Sequence, residues 1–139
     1  MKITFLEAAS GVRLVKSFTP NKTIPYPFVS KMNSYEMEIN SIEEFESALR
    51  TGAEKGWMML RGGLTKILKN ESRRGYNDQS QKIYTITFDI DGIDSPLPMP
   101  EKCDSGTVRR VAESIVGRFP QLADISYVAK GSSSFGRER

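Results

Sequence analysis

Runs of apolar and polar residues divide the chain into short strands and two longer helices. Residues 3–6 and 13–18 are apolar enough to predict two strands, separated by the turn residues Ser10 and Gly11. Residues 21–27 hold two prolines among polar residues and predict a loop. Residues 35–39 alternate Tyr, Glu, Met, Glu, Ile, which predicts a strand with one wet face. Ser41 is a good helix N-cap, and Glu44 stands three residues on, the spacing of a capping box. Ile42, Phe45, Leu49 and Ala53 then recur at helical spacing, and Gly56 stops the run.

The second half reads less evenly. Residues 57–60 predict a short strand, Gly62 and Gly63 break it, and residues 64–68 fit a helical turn or a further strand. Residues 70–80 are polar and predict a loop. Residues 84–90, Tyr-Thr-Ile-Thr-Phe-Asp-Ile, are β-prone throughout and give the strongest strand pattern in the chain. Three prolines within residues 95–100 impose an extended loop. A second helix starts near Asp104 or Ser105 and carries Val108, Val111, Ala112, Ile115, Val116 and Phe119 as one stripe before Pro120. Arg109 and Arg110 start on the opposite side. Residues 125–129 predict a last strand, and residues 131–139 form a polar tail. The order predicts an α+β fold or split-βαβ sandwich without internal repeats.

Composition limits the chemistry. The chain has 139 residues, a length that suits a single domain. It has no His, which excludes a His base, a His metal ligand and a Ser/His/Asp triad within these residues. Cys103 is the only Cys, so there is neither an internal disulfide nor a thiolate zinc cluster, in keeping with a reducing cytoplasm. The first residues do not read as a signal peptide, and no run approaches a transmembrane helix.

Net charge is +3, unevenly placed. Arg61, Lys66, Lys69, Arg73, Arg74 and Lys82 stand against Glu71 and Asp78, and then Asp89, Asp91, Asp94, Glu101 and Asp104 stand against Lys102. Cations attract anionic backbones, and grouped carboxylates attract divalent metal. Solvated surface loops would show the same pattern. Tyr76 lies among the cations, where an aromatic ring could stack a base, although a lone Tyr is more often structural. Trp57 reads as core.

The chemical centre is Phe88-Asp89-Ile90-Asp91-Gly92. Two positions apart on a strand, Asp89 and Asp91 share one face. Such a pair suits Mg²⁺ or Mn²⁺, which favour oxygen ligands and serve phosphoryl and nucleotidyl transfer. An Asp-Gly hairpin turn is the bland alternative. A calcium loop of EF-hand type fails, because position twelve from Asp89 is Pro100 and the Gly comes too early. A dehalogenase-type phosphatase uses Asp-x-Asp-Gly-Thr/Val, with Ile93 here at the last position, but places that motif near the start of a much longer chain.

Over most of its length the chain resembles the archaeo-eukaryotic primase superfamily, in its phage and plasmid primase-polymerase branch. Ile3-Thr4-Phe5-Leu6 with Gly11 and Lys16-Ser17-Phe18 looks like the opening β-unit. Glu71-Ser72-Arg73-Arg74-Gly75 looks like the Glu-Ser-Arg-x-Gly element before the catalytic strand, Asp89-Ile90-Asp91 like the Asp-x-Asp motif, and Ser132-Ser133-Ser134-Phe135-Gly136 like the serine-rich strand end.

The resemblance implies an RNA-recognition-motif-like antiparallel sheet with helices on one side, plus an N-terminal αβ unit. Residues 1–80 would form that unit with the basic loop, and residues 81–139 the start of the catalytic core, incomplete at its C-terminal end. It implies DNA primase or polymerase activity in phage or plasmid replication, with Asp89 and Asp91 holding two Mg²⁺ or Mn²⁺ ions. Arg73, Arg74 and Lys69 would bind nucleotide or nucleic acid, and Ser132, Ser133 and Ser134 would place hydroxyl and N–H groups on phosphate. DNA template, nucleoside triphosphates and a replicative helicase are the implied partners, in the host cytoplasm and away from membrane. Two features depart from the family pattern. Its Ser-x-His motif has no counterpart in a chain without His, and no later acid stands on a convincing strand. Weak or no activity from these residues alone is the expectation. The alternatives are a non-catalytic module that binds single-stranded nucleic acid and, third, the phosphatase.

Overall fold

A computed structural model describes residues 1–19, 22–83, 85 and 105–128. The fold is mixed α+β: strands β1 (Lys2–Ala8), β2 (Ser17–Thr19), β3 (Lys22–Ile24), β4 (Met32–Glu38), helix α1 (Ile42–Lys55), β5 (Met58–Leu60), β6 (Gly63–Leu64), β7 (Asn77–Asp78) and helix α2 (Ser105–Arg118). Two compact units share the chain, Met1–Thr87 and Phe88–Arg139.

In the first unit β1 lies at the centre of an antiparallel sheet ordered β4-β1-β5. Phe5 stands opposite Tyr35 on one side and Met59 on the other, and Leu6 opposite Ser34 and Met58. Both faces of β1 are covered, so Ile3, Thr4, Phe5 and Leu6 are all buried. Alternation of side chains across the sheet sends Ile3 and Phe5 one way and Leu6 the other. Ile3 and Phe5 pack with Ile39 and Ala48 beneath α1, with Trp57 partly buried against them. Leu6 packs with Leu64 and Leu68, supported by Met32, Met58, Leu60 and Tyr76.

The predicted α1 forms as expected. Ser41 Oγ accepts the Glu44 N–H at 3.1 Å, while the Glu44 carboxylate accepts the Asn40 N–H at 2.8 Å. Gly56 takes φ +72°, the left-handed turn that ends the helix. Residues 13–18 do not form one strand, and the helix end explains why. The Arg13 guanidinium donates to the Glu54 and Ala53 carbonyls at 2.6 and 3.0 Å, and the Leu14 N–H donates to the Gly56 carbonyl at 2.8 Å. This segment caps α1, and strand structure begins only at Ser17. The expected loop at 21–27 contains β3, which pairs with β2 before the prolines.

In the second unit α2 begins at Ser105 as expected, with Ala112 buried and Val111, Ile115 and Val116 half-buried. Residues 125–128 are not strand, and Ile125 and Tyr127 are exposed. The strong strand pattern of 84–90 lies outside the described residues except Thr85. Among the described residues no helix is long and apolar enough to cross a membrane.

Candidate nucleic-acid interface

The basic residues gather on a loop that the main chain fixes to the outer edge of β4. An edge strand presents unpaired N–H and C=O groups. Here the 68–71 segment takes them. Met32 and Glu71 exchange two main-chain hydrogen bonds, of 2.8 and 3.1 Å. The Ser34 N–H donates to the Leu68 carbonyl at 3.1 Å, and the Leu68 N–H returns to Ser34 Oγ at 2.7 Å. Between these contacts the Asn70 N–H donates to Asn33 Oδ1 at 2.9 Å, with Asn70 held at φ +55°. Leu68, 1% exposed, anchors the loop from below. Gly75 turns the chain at φ +84°, and β7 returns it to β6.

This arrangement uses backbone and Asn/Ser groups for attachment and leaves Lys69, Arg73 and Arg74 out of it. Lys69 and Arg74 are exposed, and Arg73 is half-buried. Lys66 differs, because it pairs with Glu71 and lies 4.2 Å over the Tyr76 ring. The hydrogen bond to Glu71 raises the Lys66 pKa above its ordinary value, so the ammonium stays charged. Tyr76 is thus structural: its ring packs on the Leu6 cluster and its carbonyl accepts the Thr65 N–H. Among the described residues Lys69, Arg73 and Arg74 form no ion pair. Guanidinium groups in such a position suit phosphate oxygens, which they grip bidentately.

Asp89, Asp91, Ser132, Ser133 and Ser134 lie outside the described residues. Among the described residues no group of three His, Cys, Asp or Glu could hold a metal. Arg109 pairs with Glu113 one turn along α2, and Arg110 is exposed.

Two features escaped the sequence pattern. Glu7 accepts hydrogen bonds from Tyr35 Oη at 2.6 Å, Trp57 Nε1 at 3.0 Å and Asn33 Nδ2 at 3.3 Å. Tyr35 stacks on Trp57 at 4.6 Å, and Lys55 Nζ lies 4.3 Å from the Trp57 ring centre. The donors, Tyr35 first and then Trp57, hold the Glu7 carboxyl below its ordinary pKa, and Glu7 in turn raises that of Tyr35. With every partner satisfied, this cluster fastens β1 and β4 to Trp57, the residue that leads into β5. The second feature is a set of exposed apolar side chains before β4: Ile24, Tyr26 and Phe28 at 45%, 62% and 97% exposure. Its sequence signal is Pro25-Tyr26-Pro27-Phe28, where proline denies the rings a place in a sheet. Compared with family models, curated proteins and solved structures, the chain matches none.

Proposed function

We propose that this chain forms part of the catalytic domain of a primase-polymerase, acting in nucleotidyl transfer on a DNA template. One observation carries the reading: a loop that bears the cations Lys69, Arg73 and Arg74 is locked to β4 by main-chain bonds just ahead of Asp89-Ile90-Asp91 in sequence. Preorganised cations bind phosphate without first ordering a flexible segment. The finer fold proposal is an RNA-recognition-motif-like sheet that includes the 84–90 strand pattern.

Asp89 and Asp91 would hold Mg²⁺ or Mn²⁺, for which two hard carboxylates are the appropriate donors. Bound there, the ions would stabilise the attacking and leaving oxygens of phosphoryl displacement. Lys69, Arg73 and Arg74 would hold nucleic-acid phosphates, and Ser132, Ser133 and Ser134 would donate to phosphate. Because the chain has no His for the family's Ser-x-His position, binding is a better readout than turnover. Calorimetry of the chain with Mn²⁺ and a deoxynucleoside triphosphate should show metal-dependent binding, absent from Asp89→Ala/Asp91→Ala. Unchanged binding in that variant refutes the site. The same loop favours a second reading, a metal-independent single-strand binding module. A steep salt dependence with no divalent requirement and no nucleotide binding would select it.

A further inference from the structure

We infer that the Tyr26–Phe28 arm is a base-stacking site for single-stranded DNA, continuous with the phosphate-binding loop at Lys69, Arg73 and Arg74. The inference rests on the nucleic-acid reading above and adds to it the residues that would hold bases. Scattered apolar residues on a surface need no explanation. Here three recur at alternate positions within five residues, and Phe28 is almost wholly exposed. Proline at 25 and 27 fixes φ and drives Ile24 and Tyr26 toward extended backbone. Rings two residues apart in an extended chain stand roughly 6–7 Å from one another along it. Ordering them on a ligand therefore costs little backbone entropy.

The charge of the sequence that carries the arm points to the occupant. Residues 8–35 contain no Asp or Glu; of their four cations Arg13 is engaged at the end of α1, and Lys22 and Lys31 stand nearest the arm in sequence. Lys22 and Lys31 flank the arm and are exposed. An apolar surface for another protein does not require that one-sided charge, whereas a polyanion with π-faced bases matches it. Topology supplies the connection. The Ala9 N–H donates to the Lys31 carbonyl at 3.0 Å, and the next residue, Met32, is bridged to Glu71. Phe28 therefore lies four residues from a bridge whose other side lies two residues from Lys69 and from Arg73. The arm thus leads into the same end of β4 at which the basic loop is bridged, and aromatic rings with cations are the combination that single-strand binders use.

The test is fluorescence anisotropy of a labelled oligo-dT of about twenty nucleotides, titrated with the full chain at several salt concentrations. Wild type should bind with a clear salt slope. Tyr26→Ala/Phe28→Ala should lose about 5- to 150-fold per ring that stacks, with the slope unchanged. Phe28→Trp should keep wild-type affinity. Both rings are exposed, and circular dichroism should confirm that the variants remain folded. No oligo-dT binding by wild type, or equal binding by the double alanine variant, overturns the inference. So does self-association in sedimentation that the double variant abolishes while oligo-dT affinity is unchanged, because the arm would then dock protein. If ring-dependent oligo-dT binding is found but Mn²⁺–nucleotide binding is not, the arm stands and the nucleotidyl-transfer reading falls.

Discussion

Ser34→Ala isolates the contact that seats the basic loop. Ser34 is 4% exposed, and its Oγ accepts the N–H of Leu68, itself 1% exposed, at 2.7 Å. The substitution deletes one acceptor and leaves the strand intact, since the Ser34 N–H still donates to the Leu68 carbonyl at 3.1 Å. A buried N–H without a partner costs about 1–3 kcal/mol. For a unit of this size each kcal/mol lowers Tm by roughly 4–8 °C. Calorimetry should therefore show a clear fall in Tm, and hydrogen exchange should show faster exchange at Leu68, Asn70 and Glu71 than at Leu6. Oligo-dT affinity should fall modestly, because Lys69, Arg73 and Arg74 would be ordered only on binding. An unchanged Tm together with unchanged Leu68 protection would refute the view that this hydroxyl holds the loop.

Two further substitutions probe the opposite face of the sheet. Gly52→Ala should destabilise although Ala favours helix by about 1 kcal/mol. The added Cβ would lie 2.6 Å from Phe5 Cε1, and Phe5 is 2% exposed, so overpacking of about 1–3 kcal/mol prevails. A higher urea midpoint would contradict this. Glu7→Gln should flatten the acid limb of the stability profile. The folded Glu7 carboxyl titrates below its unfolded counterpart, so its stabilisation is complete above the unfolded pKa and is lost as pH falls through the folded one. Parallel acid limbs in wild type and variant would remove Glu7 from that role.

Helix α1 was legible because its signals are local: Ser41, Glu44, the apolar stripe and Gly56 act within a few residues of one another. Strand β4 was legible from residue 35 but starts at Met32, because Ser34 is buried through a bond to Leu68 that no alternation pattern records. Residues 13–18 failed for the reverse reason. Their β-prone composition is overruled by the open carbonyls of α1, which attract Arg13. The β2–β3 hairpin was hidden by prolines that lie just beyond β3. At the candidate site, the clustering of Lys69, Arg73 and Arg74 was visible as charge, whereas their mounting on β4 depends on contacts more than thirty residues apart. Asp89 and Asp91 lie outside the described residues, so they rest on sequence alone.

The manner of attachment bears on what the loop would recognise. Its main-chain groups bond to β4, and the one cation engaged within it among the described residues, Lys66, is held by Glu71. No described contact directs Lys69, Arg73 or Arg74 into a fixed fork that could read a base edge. Cations held only by their own side-chain stems meet phosphates, which are alike at every step of a strand. Rings on the Tyr26–Phe28 arm would stack any base through its π-face. Both halves of the proposed surface would therefore be indifferent to sequence, as the proposed hold on a DNA template requires. Replacing the three cations together with Ala should accordingly weaken binding to all oligonucleotides alike and reduce the salt slope by about 0.7 for each phosphate no longer neutralised. Weakening confined to particular sequences would mean that the loop reads bases after all.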